Sequence, residues 1–333
     1  MKILIIRFSS IGDIVLTTPV VRNLKEQLPD AELHYLTKES FKTILESNPF
    51  IDKVHYLGDR WDAMIQELKS ESFDLIIDLH HNLRTARIKR ALKVRSHSFP
   101  KLNLEKWLYT NFKINRLPDV HIVDRYMQTV STLGVVNDGK GLDYFIPEHE
   151  QIKLEDLPHA HFAGYIALVI GAAHATKRMP VDLLQELCTS IHHPIILLGG
   201  PEDQANGHLV ASVDPVKIYN ACGKFTLNES ADIIRKSKLV IAHDTGLMHI
   251  AAALRKQIIC IWGNTVPAFG MYPYYGHQPI VSVNMQVKNL SCRPCSKIGS
   301  DTCPKKHFKC MRNQDITAIA STATTWAREW RPV

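Results

Sequence analysis

Short apolar runs alternate with amphipathic stretches along this chain, and that alternation limits the possible folds more than any other feature of the sequence. A short apolar run suits a strand buried in a parallel sheet, and an amphipathic stretch suits the helix that crosses back over it. The pattern therefore predicts a doubly wound α/β architecture. The predicted strands are 2–7, 32–36, 53–57, 75–79, 165–170, 194–198, 239–242 and 257–262.

The stretches between these strands place apolar residues at helical spacing. Pro19 interrupts the segment 14–28, so we expect a kink or a restart of the helix there, because proline lacks a backbone donor. A second helix is predicted over 246–254 and a third over 314–330. The two tryptophans of the last segment favour docking onto a core rather than fraying.

The length of 333 residues suits two domains, because a single hydrophobic core stops growing in chains of this size. A polar, His- and Pro-bearing stretch at 147–164 interrupts the strand–helix rhythm and is the predicted linker. We therefore expect one domain over 1–155 and a second over 156–333, the latter with a cysteine-rich insertion at 288–312 and a C-terminal helix.

Composition and charge narrow the classes of function. The chain is 45% hydrophobic and 22% charged, as folded proteins are, and its formal net charge of +7 favours an anionic ligand or surface. Nothing in it resembles a nucleic-acid-binding module, so we expect no nucleic-acid partner. The first residues lack the apolar core of a signal peptide, and no run approaches the ~20 apolar residues of a membrane span. We expect a cytoplasmic protein whose membrane contact is at most peripheral.

Two phosphate-binding signatures are missing from the sequence. It contains neither G-x-G-x-x-G nor G-x-x-x-x-G-K-[ST], which disfavours a dehydrogenase or a P-loop kinase. The segment HDTGLMHIAAAL is the best substitute, because Asp244 and Thr245 end a strand and Gly246 opens a helix whose free amides attract phosphate. A purely structural cap, with His249 as an ordinary core residue, is the alternative.

The segment RFSSIGD follows the first strand and enters a helix, which places it at the sheet edge where ligands of open α/β folds bind. Asp13 is either a helix cap or a catalytic carboxylate there. Lys177 and Arg178 lie in another strand-to-helix loop and are candidate anion ligands or solvated charges. Glu229 ends the sequence T-L-N-E, a capping box, and taken alone is predicted to be a cap.

Four of these segments, in this order, resemble the lipopolysaccharide heptosyltransferase family, glycosyltransferase family 9. They are RFSSIGDIVLTTPVVRNLKEQLP, DLIIDLHHNLRT, the TKRMP loop and DTGLMHIAAAL, and together they span nearly the whole chain. The resemblance implies a GT-B fold of two facing Rossmann-like domains with a cleft between them. It also implies ADP-heptose as donor, inversion at the anomeric carbon, and no cofactor required for catalysis.

The resemblance also implies roles for individual residues. Asp13 becomes the general base of the acceptor hydroxyl, and the first domain becomes the acceptor domain. The second domain becomes the donor domain. The implied acceptor residues are Ser10, Gly12 and Arg84, and the implied donor residues are Lys177, Glu229, Asp244, Thr245, Gly246, Leu247 and His249.

The basic segment HHNLRTARIKR follows a first-domain strand and suits an anionic, lipid-linked saccharide acceptor. Arg84, nearest the strand end, is the predicted acceptor ligand, whereas Lys89 and Arg90 are predicted to be solvated charges of a helix face. The basic cysteine-rich insertion is a candidate for transient contact with the acceptor's phosphates or the inner-membrane surface.

Four cysteines of the insertion, Cys292, Cys295, Cys303 and Cys310, depart from the founding pattern of the family. A C-x2-C pair followed by two more cysteines favours a tetrahedral structural zinc site. Free or redox-active thiols are the second interpretation, and disulfides the third, because a reducing compartment disfavours them.

Two other functions fit the same fold. A nucleotide-sugar epimerase would need the donor but no acceptor, and a catalytically idle homologue would bind nucleotide or lipid without turnover.

Overall fold

The computed structural model describes residues 1–331. Its strands are β1 (Lys2–Ile6), β2 (Glu32–Thr37), β3 (Lys53–Tyr56), β4 (Leu75–Asp78), β5 (Ser96–Ser98), β6 (Ile166–Val169), β7 (Ile195–Leu198), β8 (Ile218–Asn220), β9 (Leu239–His243), β10 (Ile258–Trp262) and β11 (Ser282–Gln286). All eight predicted strands are confirmed to within one or two residues at their ends. The short strands β5, β8 and β11 were not predicted, because three to five residues of mixed polarity carry little signal.

The helices follow the strands in the expected alternation. They are α1 (Ile11–Val15), α2 (Thr18–Gln27), α3 (Trp61–Ser70), α4 (Leu83–Leu92), α5 (Asn103–Phe112), α6 (Ile122–Met127), α7 (Val181–Ser190), α8 (Gln204–Ala211), α9 (Leu227–Lys236), α10 (Gly246–Ala253), α11 (Lys309–Arg312) and α12 (Ile316–Glu329). Pro19 lies in the first turn of α2 and marks a restart, since a proline in the first turn sacrifices no helical hydrogen bond. Along residues 1–331, no helix is long and apolar enough to cross a bilayer.

The first compact unit is built around a five-stranded parallel sheet in the order β3-β2-β1-β4-β5. Its central strand β1 pairs with β2 through Lys2↔Glu32 and with β4 through Ile3↔Leu75. Four of the five residues of β1 are buried, as a strand covered on both faces by helices must be.

The second unit contains a six-stranded parallel sheet in the order β11-β10-β9-β6-β7-β8. Helix α12 docks onto its core with one apolar face, and Trp326 packs against the same core from a partly buried position. The predicted docking of the C-terminal segment is therefore confirmed. The face that docks consists of Ile316, Ile319, Ala320, Ala323 and Ala327.

The division of the chain into units differs from the predicted boundary at 155/156. The first unit comprises Met1–Leu102, Val120–Phe145 and Tyr274–Gln278, and the second comprises the remaining segments. The predicted linker packs onto the second unit, because Ile152 and Leu157 are buried and the Ile152 amide donates to Asp232. The linker segment is polar on average, so its composition did not reveal these two buried apolar residues. Residues 332 and 333, included in the predicted second domain, lie outside the described chain.

Candidate active site

Both sheets have a topological switch point, and the predicted site residues other than Glu229 lie beside these two points. In the first sheet the chain runs outward in both directions from β1 and β4, and in the second from β6 and β9. Ligands of open α/β sheets bind outside the carboxyl ends of such strands. Asp13 follows β1 and Arg84 follows β4, whereas Lys177 follows β6 and Asp244 follows β9.

The carboxylate of Asp13 is oriented by the turn that begins α1. Its Oδ2 accepts hydrogen bonds from the Ser10 amide at 3.2 Å and from the Ser10 hydroxyl at 2.7 Å. The predicted capping role is therefore present. Ser10 is exposed, Gly12 is buried, and the Asp13 side chain keeps about a quarter of its surface accessible, at 23%. The Asp13 carboxylate therefore caps the helix and is still accessible to a ligand from solvent.

Arg7 holds the other oxygen of this carboxylate. Its Nη2 lies 2.6 Å from Oδ1 of Asp13, and the guanidinium also donates to the Ser9 and Leu79 carbonyls and to the Tyr126 hydroxyl. Burial alone would lower the pKa of Arg7, but the charge and hydrogen bond of Asp13, together with the nearby Tyr126 and Tyr35, outweigh burial and raise that pKa. Arg7 is thus a fixed, permanently charged support for Asp13.

The loop after β4 contains a buried carboxylate that orders the backbone. Oδ1 of Asp78 accepts the amides of His80 and His81, and Oδ2 lies 2.9 Å from the Lys89 ammonium. The prediction that Lys89 is solvated is wrong, because the fully buried Asp78 draws it inward. Burial raises the pKa of Asp78, but Lys89, the His81 amide and the Thr85 hydroxyl together lower it below its usual value. Arg90 is exposed, as predicted.

Two further groups line the loop after β4. Burial, reinforced by the charge of Arg7, lowers the pKa of His80 to about 4, so that this imidazole is neutral at physiological pH. Arg84 is exposed in the first turn of α4, where it forms no ion pair within the described chain. A free guanidinium there is available to an anion.

Lys177 and Asp244 form the corresponding pair in the second unit. The Lys177 ammonium lies 2.7 Å from Oδ2 of Asp244 and 3.3 Å from its backbone carbonyl. Oδ2 also accepts the Thr265 hydroxyl at 2.9 Å. Asp244 and Thr265 therefore fix the position of a lysine that is 15% exposed. The sequence predicted both charged residues but not their direct contact.

The start of α10 adds hydrogen-bond donors beside this pair. Residues Thr245, Gly246 and Leu247 are half-buried, and His249 one turn further is buried. The Thr245 hydroxyl oxygen is buried and has no hydrogen-bond partner among the described residues. An unpaired buried hydroxyl is costly unless a ligand satisfies it. Together with the free amides of the first turn, it provides the donors that an anion requires.

Glu229 caps α9, as its sequence context predicts. Its Oε2 accepts the Thr226 amide at 2.7 Å, and the Glu229 amide donates back to the Thr226 hydroxyl at 3.2 Å. This capping box uses only one carboxylate oxygen. Helix α9 follows β8, two strands from β6, which is roughly 10 Å along the sheet edge at the usual strand spacing.

The four cysteines of the insertion do not form a closed tetrahedral set of ligands. Cys310 is buried and the other three are half-buried, and within residues 1–331 no three of their sulfur atoms lie within 4.8 Å of one another. Burial, together with the neighbouring cysteines, raises the pKa of Cys295 and of Cys310 to about 11. Without a cation these thiols stay protonated.

The structure also identifies supporting residues that the sequence did not. Arg7 ends the motif's strand and holds Asp13, and Thr265 holds Asp244. His243, the last residue of β9, accepts the Met179 amide at Nε2. A charged or polar residue at the end of an otherwise apolar strand was the available signal for Arg7 and His243.

Comparison with known proteins identifies the family of this chain. The profile described as glycosyltransferase family 9 (heptosyltransferase) matches residues 61–302. The chain belongs to this family. It is therefore a glycosyltransferase, and its fold is an α/β fold of the GT-B class.

Individual relatives are similar over most of their length. Lipopolysaccharide heptosyltransferase 1 of Campylobacter coli is 27% identical over 289 residues, which cover 80% of this chain and 84% of the relative. A glycosyl transferase family 9 structure from Veillonella parvula superposes with a TM-score of 0.77 at 22% identity, covering 98% and 97% of the two chains. The E. coli heptosyltransferase WaaC with ADP superposes with a TM-score of 0.69 at 21% identity, covering 98% and 100%.

Proposed function

We propose that this glycosyltransferase moves a heptose, with inversion, from ADP-heptose to a lipid-linked, anionic saccharide of the lipopolysaccharide-core type. Family membership and the names of the relatives support the sugar and the acceptor class. The single observation that supports the mechanism is that each sheet's switch point carries a cation–carboxylate pair. The Arg7–Asp13 pair exposes its carboxylate to solvent, and the Lys177–Asp244 pair lies beside the N-terminus of α10.

On the acceptor side, Asp13 accepts the proton of the acceptor hydroxyl as that oxygen bonds to the anomeric carbon. Because Ser10 and Arg7 already bind the Asp13 carboxylate, it is a weak base, and we infer that the proton moves late, after the sugar–diphosphate bond has begun to break. Gly12 brings the backbone close to the acceptor, and Arg84 binds its anionic group.

On the donor side, the bond between the anomeric carbon and the diphosphate oxygen breaks, and its electron pair leaves with ADP. Lys177 and the amides of residues 245–247 stabilise the charge that develops on the diphosphate, while Asp244 positions Lys177. His249 supports this turn from the helix interior, and Glu229 accepts the ribose hydroxyls. This set supplies positive charge without a divalent ion, so we expect no cofactor requirement for turnover.

Release of ADP from ADP-heptose, measured with and without a purified lipopolysaccharide-core acceptor, tests this proposal. Acceptor-dependent release together with a heptosylated product of inverted configuration is the expected result. Interconversion of the donor without any acceptor would instead identify an epimerase, and binding without turnover an idle homologue; either outcome contradicts the proposal.

The acceptor role of Arg84 has a matched control on the same helix. Arg84 and Arg90 are both exposed residues of α4, one in its first turn and one in its last. We expect Arg84→Ala to raise the KM for the acceptor about tenfold, the effect of losing one charged hydrogen bond, with kcat little changed. Equal effects of Arg84→Ala and Arg90→Ala would contradict the assignment.

Two further parts of the proposal concern the cell and the insertion. A lipid-linked acceptor implies work on the cytoplasmic side with transient contact to the inner-membrane surface. We also propose that Cys292, Cys295, Cys303 and Cys310 move together to bind a structural zinc ion, since four thiols within nineteen residues match its preferred ligands. Metal analysis should find about one zinc ion per chain in the purified wild type and none in Cys310→Ser. Absence of zinc from the wild type would contradict the zinc site.

A further inference from the structure

Helix α5 presents an apolar surface that the rest of its unit does not cover. None of its ten residues is buried. Leu104 is 65% exposed, Trp107 is 47% exposed and Phe112 is 59% exposed, and Ile114 just beyond the helix is 47% exposed. Isolated exposed apolar residues are ordinary, but four large ones within eleven positions mark an interaction surface.

The two aromatic rings of this surface contact each other. The Trp107 and Phe112 centroids lie 5.2 Å apart in an edge-on arrangement. Leu104 and Trp107 are three residues apart, and Leu104 and Phe112 are eight residues apart, so these side chains project from the same side of the helix. The exposed apolar residues therefore form one continuous patch.

The opposite side of α5 is attached to the second unit. The Tyr109 ring packs edge-on against Phe269 at 6.0 Å. The Lys113 ammonium donates to the Pro294 carbonyl at 2.8 Å, and Lys297 lies 3.5 Å from the Asn103 side chain. Helix α5 is thus seated with its apolar side outward, and the patch does not result from a detached helix.

The surroundings of the patch are positively charged. The contacts at Pro294 and Lys297 place the cysteine-rich insertion directly beside α5. Lys297 is exposed next to Ile298, itself 64% exposed. The insertion also contains exposed Lys305, Lys306 and Lys309 with a single acidic residue, Asp301, and Arg116 is exposed beyond α5.

We propose that α5 and the basic insertion beside it dock this protein onto an anionic phospholipid surface. Exposed Trp and Phe rings insert at the boundary between headgroups and acyl chains, and lysines and arginines around them bind lipid phosphates. A second copy of the chain fits less well, because pairing would bring two positive surfaces together. The inference rests on the proposed function only for the expectation that the acceptor is lipid-linked.

Sedimentation with vesicles tests this surface directly, because it requires no turnover. We expect the full chain to bind phosphatidylglycerol vesicles at least tenfold more strongly than phosphatidylcholine vesicles, and binding to weaken as salt is raised. Trp107→Ser with Phe112→Ser should reduce binding at least tenfold, and Arg116→Glu severalfold. The matched controls are Leu209→Ser, Val216→Ser and Arg328→Glu, which alter equally exposed residues elsewhere in the unit.

Three results would overturn the proposal. They are absence of binding to anionic vesicles, equal binding by the α5 variants and their controls, and a dimer in analytical ultracentrifugation that Trp107→Ser dissociates. Turnover on a water-soluble acceptor fragment separates this proposal from that of heptosyl transfer. The α5 variants should keep wild-type rates on the fragment, so failure of docking leaves the enzymatic proposal standing, and the reverse also holds.

Discussion

The two switch points of this enzyme contain similar ion pairs with opposite environments. Arg7 and Asp13 lie 2.6 Å apart in the first unit, and Lys177 and Asp244 lie 2.7 Å apart in the second. In the first pair the cation is fixed by two carbonyls and a phenol, and the carboxylate is the more exposed partner, at 23% against 10%. In the second, a threonine fixes the carboxylate beside a helix N-terminus.

The difference shows that partner groups, more than residue type, decide what an ion pair can do. A carboxylate whose cation is also bound by other acceptors can still reach solvent and accept a proton, whereas a lysine whose carboxylate is also bound by a threonine can turn to an anion. The same kind of ion pair can therefore supply a base beside one sheet and an anion-binding site beside the other.

The largest expected effect is on turnover when the first pair loses its base. Asp13→Asn should lower kcat by at least about 100-fold, because the amide cannot take the proton, while the Kd for ADP changes less than twofold. Steady-state kinetics and calorimetry measure the two quantities. Asp59→Asn, an exposed residue of the same unit, is the control. If donor affinity fell with turnover, the two pairs would not have separate roles.

In the second pair, removing the cation should weaken binding of the nucleotide. Lys177→Ala is expected to raise the Kd for ADP about 10- to 100-fold, the usual loss for a charged hydrogen bond of about 1.5–3 kcal/mol. Lys305→Ala, which removes an exposed lysine of the same unit, should bind like wild type. Calorimetric titration makes the comparison, and equal affinities for the two variants would remove the anion site from the second switch point.

Each switch point also has a histidine whose pKa is lowered by burial, His80 in the first unit and His243 in the second, and these predict sensitivity to acid. Burial lowers the pKa of His243 to about 4, and Nε2 must stay unprotonated to accept the Met179 amide. The unfolded state takes up this proton below about pH 6.5, so the free energy of unfolding should fall as pH decreases from 6.5 toward 4. At pH 5 the loss is roughly 2 kcal/mol.

Urea unfolding at pH 7.5 and pH 5 measures this loss. His243→Gln keeps an acceptor for the Met179 amide but does not titrate. Between pH 7.5 and pH 5, the free energy of unfolding of this variant should therefore fall by roughly 2 kcal/mol less than that of wild type. His149→Gln, an 82% exposed histidine, should leave the pH dependence unchanged. If the pH dependence of unfolding were the same for wild type and His243→Gln, His243 would contribute nothing to the acid sensitivity of the fold.

The smallest expected effect distinguishes the cap from the ligand at Glu229. Glutamine preserves a capping box, so Glu229→Gln should leave the melting temperature unchanged. If the carboxylate also accepts the ribose hydroxyls, the Kd for ADP should rise severalfold, since a charged acceptor becomes neutral. Unchanged affinity would restrict Glu229 to its structural role and place the second unit's ligand residues entirely at the switch point.

The sequence alone predicted the architecture and the main candidate residues of the site. Alternating apolar and amphipathic segments specify parallel strands and crossover helices wherever they occur, which is why eight of the strands and an interruption of the helix at Pro19 were predicted. The order of four motifs indicated the family. Lys89 was misjudged because its partner, Asp78, is buried in the neighbouring strand, and no local pattern shows that a carboxylate eleven residues away needs a counter-charge.

Only the tertiary structure decided the environments of these residues. Asp13 was recognisable from its segment, but its contact with Arg7 depends on three acceptors that come from α6 and from the loops after β1 and β4. The buried contacts of the predicted linker were hidden in the same way, since Ile152 is anchored by Asp232 some eighty residues away. Local sequence sets secondary structure through short-range sterics and periodicity, whereas burial, ion pairing and pKa depend on residues that only folding brings together.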